Sequence, residues 1–333
     1  MFNYLKKYGI LGNNARISDF ILPHNKRSAY PLVDNKIKTH SLALKNGISS
    51  PELYFTINSY GELKKLHELF KTFKSAVIKP ARGSQGNGIL VINSIEWNEN
   101  PNLSRFMTSR KNTTTYSDIE YHVSSILSGL YSLNGEMDQV LVQEKLDSIE
   151  DLKKLSFQGL PDIRVILFYG IPIMAMTRLP TQKSQGRGNL HQGAVGLGLR
   201  IKDGTVSGAI QDNKNITDHP DLKIPLFDLK VPDWNKVLML ASKCSELVNI
   251  NYLGVDIVID PEKGPMLLEM NARPGLSIQL ANKAGLIPRL NNVNTFLKSR
   301  SKPSKDTIIK FQTRYNLEDL NILEKVNFGI ENF

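Results

Sequence analysis

Short runs of apolar residues, separated by polar or glycine-rich turns, recur along the chain and predict β-strands. The runs at 164–168 and 171–176, and those at 255–259 and 266–270, are close enough in sequence to form two antiparallel hairpins. The other expected strands cover residues 76–80, 89–93 and 140–143. Hairpins are thus a main component of the predicted fold.

Helical spacing of apolar residues occurs between these strands. The predicted helices cover residues 35–46, 59–74, 119–130 and 233–250. The first is expected to begin after a cap at Asp34 and to end at Gly47. Residues 94–114 are rich in Asn, Ser and Thr and are expected to form a long polar excursion.

The composition limits the kind of protein. With 333 residues, 41% of them apolar, the chain can form one large domain or two to three small ones around a buried core. Cys244 is the only cysteine, so an internal disulfide is impossible, and no apolar run is long enough to span a bilayer. The first thirty residues lack an apolar segment of signal-peptide length. A cytoplasmic protein without membrane insertion is therefore expected.

The formal net charge of +10 has two interpretations. Clustered Lys and Arg would indicate nucleic acid, because they neutralise phosphates and release counterions. The basic residues are dispersed, however, and pairs such as Lys64-Lys65 and Lys153-Lys154 are typical of solvated helix faces. The charge is compatible with small anionic ligands such as ATP, and nucleic acid is not the expected partner.

A glycine-rich loop joins two predicted strands in the stretch VIKPARGSQGNGILVI at 77–92. Gly83, Gly86 and Gly88 would let backbone N–H groups approach an anion closely, and Lys79 lies on the strand before them. The loop matches neither a P-loop nor a dinucleotide-binding turn, since no Gly-Lys-Ser/Thr and no helix follow it. It is a candidate cover for phosphates, and the alternative is an ordinary mobile hairpin.

Polar side chains interrupt the last two predicted strands. Asp256 lies within one strand, and Glu269 and Asn271 lie at the end of the next, two residues apart and therefore on one face. Hairpin pairing would bring two carboxylates and an amide oxygen together, a ligand set that suits Mg²⁺ sharing phosphate oxygens with a nucleotide. The alternative is that Asp256 caps a turn and Glu269 pairs with a lysine. The cost of placing charges in apolar strands favours the metal site.

Three further motifs follow in order along the chain: Asp162-Ile163-Arg164, GRGNLHQG at 186–193 and LLEMNARPGL at 267–276. Together with the lysine and the glycine loop, they resemble the ATP-grasp superfamily. More narrowly, about residues 30–285 resemble the RimK-type branch and its alpha-L-glutamate ligase-related proteins. In that family ATP converts a carboxylate into an acyl phosphate, an amine then displaces the phosphate, and ADP is released.

The resemblance implies an α+β ATP-grasp fold in which two subdomains with antiparallel sheets clasp ATP. The implied divisions are a short N-terminal segment (1–35), an N-terminal subdomain with the lid (36–142), a C-terminal subdomain with the metal site (143–290) and a tail (291–333). The small domain that usually precedes this fold is expected to be much reduced. A helical insertion at 94–137, longer than in typical ligases, is expected to replace part of it or to bind a partner.

The resemblance also implies roles for individual residues. The expected nucleotide contacts, at the phosphates, the lid, the adenine hinge and the ribose, are Lys36, Lys79, Gly83, Ser84, Gln85, Gly86, Gly88, Gln143, Glu144, Lys145, Leu146 and Asp162. The expected catalytic residues are Arg164, Arg187, Asn189, His191 and Arg273. The expected ligands of Mg²⁺, or of Mn²⁺, are Asp256, Glu269 and Asn271. For His191, a general base and a structural hydrogen bond are both open.

The implied function is an ATP-dependent, ADP-forming carboxylate–amine ligase. It would add an amino acid such as glutamate to a carboxylate acceptor, either a peptide or a metabolite. Two alternatives remain open: a phosphotransferase on the same scaffold, and a noncatalytic nucleotide- or RNA-binding module. The set Asp256, Glu269 and Asn271 argues against a pure binding module, and the loop with Arg187 and His191 favours a ligase over a kinase. The oligomeric state is left open.

Overall fold

A computed structural model describes residues 7–83, 86–108, 113–132, 135–300 and 320–333. Its strands are β1 (Leu53–Ile57), β2 (Ala76–Pro80), β3 (Leu90–Glu96), β4 (Arg105–Thr108), β5 (Thr113–Thr115), β6 (Val140–Gln143), β7 (Asp162–Phe168), β8 (Ile171–Leu179), β9 (Val195–Leu199), β10 (Val206–Gln211), β11 (Lys214–Asn215), β12 (Tyr252–Asp260) and β13 (Gly264–Asn271). They form two antiparallel sheets. One has six strands in the order β1-β6-β2-β3-β4-β5, and the other has seven in the order β11-β10-β9-β8-β7-β12-β13.

Helices flank both sheets. The α-helices are Asn13–Ala15, Pro31–Asp34, Lys36–Lys45, Leu66–Leu69, Tyr116–Leu127, Glu150–Lys153, Trp234–Val248, Ile278–Asn282, Ile287–Arg300 and Ile322–Asn332. The 3₁₀-helices are Arg27–Ala29, Tyr60–Lys65, Phe70–Thr72, Pro101–Leu103 and Leu190–Gln192, and Arg16–Ile21 is a π-helix. No helix of the described ranges is long and apolar enough to cross a bilayer.

The six-stranded sheet carries the glycine loop between β2 and β3. β2 lies between β6 and β3, and all five of its residues are buried. The helix Tyr116–Leu127 begins with a capping box between Thr115 and Asp118 and packs its apolar face, including Ile119 and Val123, into the core of this sheet. A central, covered β2 gives the loop that follows it a rigid base.

The seven-stranded sheet carries the late motifs. Two of its inner strands, β7 and β12, pair over six residues, and the helix Trp234–Val248 packs Val237, Leu238 and Ala241 into the core of this sheet. The short helix Ile278–Asn282 approaches β9 and β10 so closely that a Cβ on Gly198 would lie 2.4 Å from the carbonyl oxygen of Ala281. Glycine in these strands therefore permits a close helix–sheet contact.

The N-terminal residues belong to the same large core. Asn25 clamps the backbone of Tyr252: its Nδ2 donates to the Tyr252 carbonyl at 2.9 Å, and its Oδ1 accepts from the Tyr252 N–H at 2.8 Å. Ala43 and Ile48 also join the core of the seven-stranded sheet, although the predicted boundaries assign them to the N-terminal subdomain. The subdomain boundaries therefore remain a prediction.

Two details of the predicted helices differ from the structure. The helix at 36–45 is capped by Asn35, whose Oδ1 accepts from the N–H groups of Ile37 and Lys38, and Asp34 ends the preceding short helix. The predicted helix at 59–74 is a series of three short helical pieces. Over so few residues, 3₁₀ and α turns bury the same apolar positions, so the spacing did not distinguish them.

Three segments without predicted strands contain them, and the first of these forms β1. The polar residues 94–114 contribute the end of β3, β4 and β5, because Thr-rich polar strands suit the outer part of a sheet. Residues 195–215 form β9, β10 and β11. Glycines within β9 and β10 weakened the apolar alternation that would have predicted them.

Candidate functional site

Two lysines meet at the base of the glycine loop. Lys36 lies in the first turn of the helix Lys36–Lys45, whose start is tied to the loop by a backbone hydrogen bond from its N–H to the Ala81 carbonyl. The Lys36 Nζ donates to the Gly83 carbonyl at 2.6 Å and lies 3.9 Å from Glu269 Oε2. Lys36 thus connects the six-stranded sheet with the end of β13 in the other sheet.

Lys79 is buried in β2 and is 8% exposed. Burial lowers the pKa of its ammonium from 10.5 to about 8, with Lys36 adding to this and Glu269 opposing it. A buried ammonium is costly because it loses its hydration. A bound anion beside Lys79 would remove part of that cost.

Four charged side chains form a ladder across β8, β7 and β12. Arg178 donates both Nε and Nη2 to the carboxylate of its cross-strand partner Asp162, with the Nε to Oδ1 distance at 2.6 Å. Arg164 donates in the same two-pronged way to its cross-strand partner Asp256, at 2.7 and 2.6 Å. A hydrogen bond of 2.8 Å from Arg178 Nη2 to Asp256 Oδ2 joins the two pairs. Each charge is therefore placed by strand register.

The two carboxylates of this ladder differ in proton affinity. Burial raises the pKa of Asp162 to about 6, and Asp256 adds to the effect while Arg178 opposes it. Burial also acts on Asp256, but Arg164 and Arg178 together outweigh it and hold the pKa of that carboxyl well below its usual range. Because Asp162 and Asp256 share Arg178, they titrate as a coupled pair.

The three predicted metal ligands lie together. Asp256 and Glu269 are cross-strand partners, and Asn271 Nδ2 lies 3.2 Å from Asp256 Oδ2 and 3.3 Å from Glu269 Oε1. Glu269 and Asn271 fit a hard cation, since rotating the Asn271 amide would present its oxygen beside that carboxylate. Asp256 is fully buried, and both its oxygens accept from arginines, so its ligation would require an arginine to move. In the described part of the chain, no group of three or more His, Cys, Asp or Glu side chains could hold a metal.

The loop at 186–193 lies against the Asp162–Arg178 pair. A Cβ on Gly188 would lie 3.6 Å from the Arg178 Cβ and 3.9 Å from each Asp162 carboxylate oxygen. Asn189 Oδ1 accepts from the His191 N–H at 3.0 Å and so begins the short helix Leu190–Gln192. The side chain of His191 is exposed, and Arg187 Nη1 lies 3.4 Å from Gln192 Oε1. Asn189 thus caps this short helix, and its catalytic role stays a prediction.

The predicted hinge leaves β6 towards the other sheet. Glu144 continues the pairing of β1 and β6: its N–H donates to the Glu52 carbonyl at 2.8 Å. Its carboxylate pairs with Lys263. Lys145 is exposed, and Gln143 is partly buried. Leu146 packs with Val258 and Met266 in a small apolar cluster, separate from both main cores, that Leu160 and Leu268 extend.

The glycine loop is braced at both ends. Gly83 forms a bridge to Ser132, and a Cβ on Gly88, which has a φ of +74°, would lie 2.6 Å from the Tyr131 Cγ. The His122 Nε2 lies 3.0 Å from the Gly88 carbonyl oxygen. At Gly86, between these ends, a Cβ would meet no atom within 4 Å. Ser84 and Gln85 lie outside the described residues.

Arg273 lies beyond the end of β13 and is exposed. Its guanidinium carbon lies 4.7 Å from the centroid of the Tyr30 ring. The next residue is held by Arg16, whose Nη1 donates to the Pro274 carbonyl at 2.5 Å. Arg273 therefore packs on the N-terminal segment.

Sequence reasoning missed Arg178. It lies in the apolar strand β8, and the cost of placing a charge there is the same signal that singled out Asp256. The contacts of Tyr30 and Arg16 with the 273–274 segment had no signal in the sequence, because the partners are far apart along the chain, by 258 residues for Arg16 and Pro274.

The comparisons with known proteins identify a family. A profile of the sugar-transfer associated ATP-grasp family matches residues 15–295. No curated protein sequence matches the chain. With this match, the predicted α+β fold with two antiparallel sheets is confirmed as the ATP-grasp fold.

The chain is also similar to solved structures, at low sequence identity. The chain is similar to the ATP-grasp ligase PsnB in complex with a minimal precursor, with 13% identity, a TM-score of 0.41 and coverage of 82% of this chain and 62% of PsnB. For the D-alanine–D-alanine ligase from Bacillus anthracis in complex with ATP, the identity is 11%, the TM-score 0.42 and the coverage 87% and 70%. For the VanG D-Ala:D-Ser ligase from Enterococcus faecalis, the identity is 12%, the TM-score is 0.46, and the coverage is 81% of this chain and 63% of the ligase. The chain thus spans about three fifths of the PsnB chain.

Proposed function

Because the chain belongs to the sugar-transfer associated ATP-grasp family, we propose that it is an ATP-dependent, ADP-forming carboxylate–amine ligase. The reaction would join an amino acid, such as glutamate, to the carboxylate of a peptide or small molecule through an acyl phosphate. This activity, and the narrower kinship with RimK-type glutamate ligases, go beyond the family assignment.

One observation carries the proposal. Lys36 and Lys79 from the region of the six-stranded sheet meet Glu269 from the seven-stranded sheet beneath a glycine loop. Two cations, a carboxylate that is about one third exposed and a loop with open space beside Gly86 suit the phosphates of ATP and an accompanying Mg²⁺. A simple structural ion pair would not need a second, buried lysine.

Each of these residues has a role in the two steps of the proposed reaction. An oxygen of the substrate carboxylate attacks the γ-phosphorus, the bond to the β–γ bridging oxygen breaks, and ADP leaves with that electron pair. The negative charge on the transferring group is stabilised by Lys36 and Lys79. The amine then attacks the acyl carbon, the bond to the phosphate oxygen breaks, and the amine proton passes to a base. Mg²⁺, held by Glu269 and Asn271, would supply further positive charge at the phosphates.

The hinge region, residues 143–146, is the proposed binding surface for the adenine ring. The apolar cluster of Leu146, Val258 and Met266 lies beside the link between the two sheets, with Leu160 and Leu268 partly buried at its margin. A flat heterocycle can lie on such a surface while backbone groups of the hinge meet its edge. Glu144 N–H is already used by Glu52, so the backbone of Lys145 and Leu146 is the better candidate for that edge.

The glycine loop would control access of water. An acyl phosphate hydrolyses unless water is excluded, and a lid that closes over it prevents this loss. Contacts at Gly83 and Gly88 fix the two ends of this loop. His191, exposed on the neighbouring loop, stays a candidate base for the amine proton.

The family description also guides the choice of acceptor. Its association with sugar transfer makes carboxylates and amines carried on sugars suitable test substrates alongside free peptides. Uronic acids and amino sugars are the corresponding chemical classes.

The test is product analysis after incubation with ATP, Mg²⁺, pooled amino acids and pooled carboxylates, including uronic acids. We expect ADP and phosphate release and a product heavier than the acceptor by one amino acid minus water. Glu269→Gln should abolish this turnover while leaving the fold intact. Glu262→Gln, which changes an exposed glutamate on the turn between β12 and β13, is the matched control.

The other outcomes distinguish the alternatives. A product heavier by one phosphoryl group would identify a phosphotransferase instead. ATP binding without turnover, together with RNA affinity that falls steeply with salt and ignores Glu269→Gln, would indicate a binding module.

A further inference from the structure

The surface around Arg273 is completed by a segment that precedes the ATP-grasp motifs. The Asp34 N–H donates to the Tyr30 carbonyl at 2.8 Å, a helical hydrogen bond that places the side chains of Tyr30 and Asp34 on one face. The helix Pro31–Asp34 packs beside β13. Tyr30 and Asp34 therefore face the residues at the end of that strand.

Tyr30 supports the guanidinium of Arg273. The ring is 8% exposed, and the Arg273 guanidinium carbon lies 4.7 Å from its centroid, a cation–π contact. Among the described residues, no hydrogen bond or ion pair uses the Arg273 N–H groups. A guanidinium that lies on an aromatic ring and has unused N–H groups can bind a carboxylate through two hydrogen bonds.

Asp34 supplies the opposite charge beside it. Its exposed carboxylate is influenced by both Arg273 and Lys36, yet within the described ranges it forms an ion pair with neither. The surrounding protein raises the pKa of this carboxyl, and the two cations oppose the effect. A carboxylate left without a partner near two cations can accept a third, such as a substrate ammonium.

The positions of Lys36, Asp34 and Arg273 determine how a bound ligand would be oriented. Lys36 lies next to Glu269, at the proposed phosphate end, whereas Arg273 lies on Tyr30 beyond the end of β13. Asp34 is near both. A ligand with its ammonium at Asp34 and its carboxylate at Arg273 would therefore present its nitrogen towards the phosphates.

We infer that Tyr30, Asp34 and Arg273 form the subsite for a free α-amino acid, in which Arg273 binds the carboxylate, Asp34 binds the ammonium and Tyr30 positions Arg273. The inference rests on the proposed function, because it names the amine substrate of that reaction as a zwitterion. Arg16 helps to keep the subsite in shape through its hydrogen bond to Pro274.

The test combines kinetics and binding on the full chain. In kinetics with the amino acid identified by product analysis, Asp34→Asn should raise KM for that amino acid roughly tenfold or more, because a charge-assisted hydrogen bond is lost. The change in kcat should be less than about twofold, and KM for ATP should be unchanged. Asp228→Asn, at an exposed aspartate elsewhere, is the control.

Tyr30 is tested by a pair of variants. Tyr30→Phe keeps a ring beneath Arg273 and should keep KM for the amino acid, whereas Tyr30→Leu removes the ring and should raise it. If Tyr30 only filled space in the core, Tyr30→Leu would lower stability without a selective change in this KM.

A binding arm separates this inference from the ligase proposal. Each of the twenty amino acids is titrated in the presence of ADP and Mg²⁺, and the melting temperature is followed. If an amino acid raises the melting temperature of the wild type and of Asp228→Asn but not that of Asp34→Asn, the result supports the subsite even without turnover. If ligation occurs and Asp34→Asn leaves KM unchanged, the subsite is overturned and the ligase stands. If no amino acid stabilises the wild-type protein, the subsite is also overturned.

Discussion

Lys79 offers a direct test of whether the site is built at the expense of stability. Its ammonium is buried in β2, and burial lowers its pKa from 10.5 to about 8. Each tenfold change in the proton-dissociation constant corresponds to about 1.4 kcal/mol. The fall in pKa therefore corresponds to about 3 kcal/mol of destabilisation when Lys79 is charged.

The pH dependence has a definite sign. Between about pH 8 and 10.5 the folded protein has released the Lys79 proton, whereas the unfolded chain retains it. The unfolded state then binds more protons, so the contribution of Lys79 makes stability rise with pH across this window. Below pH 8 the full cost is present.

We expect Lys79→Met to be more stable than the wild type at pH 7, by up to about 3 kcal/mol, and to have lost ATP turnover. The difference in stability should shrink as the pH rises towards 10.5. Urea unfolding at a series of pH values, followed by tryptophan fluorescence, measures it. Lys74→Met, at an exposed lysine just before the same strand, should show no such pH-dependent difference.

Either of two results would show that burial of the Lys79 charge does not destabilise the protein. One is a Lys79→Met protein less stable than the wild type at pH 7. The other is a stability difference that stays constant between pH 8 and 10.5.

Two further perturbations test the ladder and the loop brace. Arg178→Gln should lower the free energy of unfolding, measured with urea, by roughly 3–5 kcal/mol, because it leaves Asp162 and Asp256 in a buried site without their shared partner. A decrease below about 1 kcal/mol would mean that water replaces the guanidinium. His122→Phe removes the hydrogen bond to the Gly88 carbonyl and should raise KM for ATP roughly fivefold. His122→Gln, which keeps a donor, should restore it, and equal KM values for the two variants would argue against the brace.

Several elements were predictable because their signals are local. The hairpins β7–β8 and β12–β13 follow from short apolar runs joined by turns, and a strand places residues two apart on one face whatever its neighbours are. The helix Tyr116–Leu127 follows from its apolar spacing. Within the hairpin β12–β13, the meeting of Asp256 with Glu269 is likewise a consequence of nearby residues.

The sequence by itself thus determined the strands β2, β3, β6, β7, β8, β12 and β13, the main helices and most of the chemically distinctive residues, because each depends on neighbours along the chain. Only the tertiary structure decided which of these residues meet. Arg164 faces Asp256 because β7 pairs with β12 in one particular register, and Lys36 reaches Glu269 because a helix from the chain's beginning packs beside β13. The contact of Tyr30 with Arg273 has the same origin. Such pairings depend on the free energy of packing the whole core, which no local pattern contains.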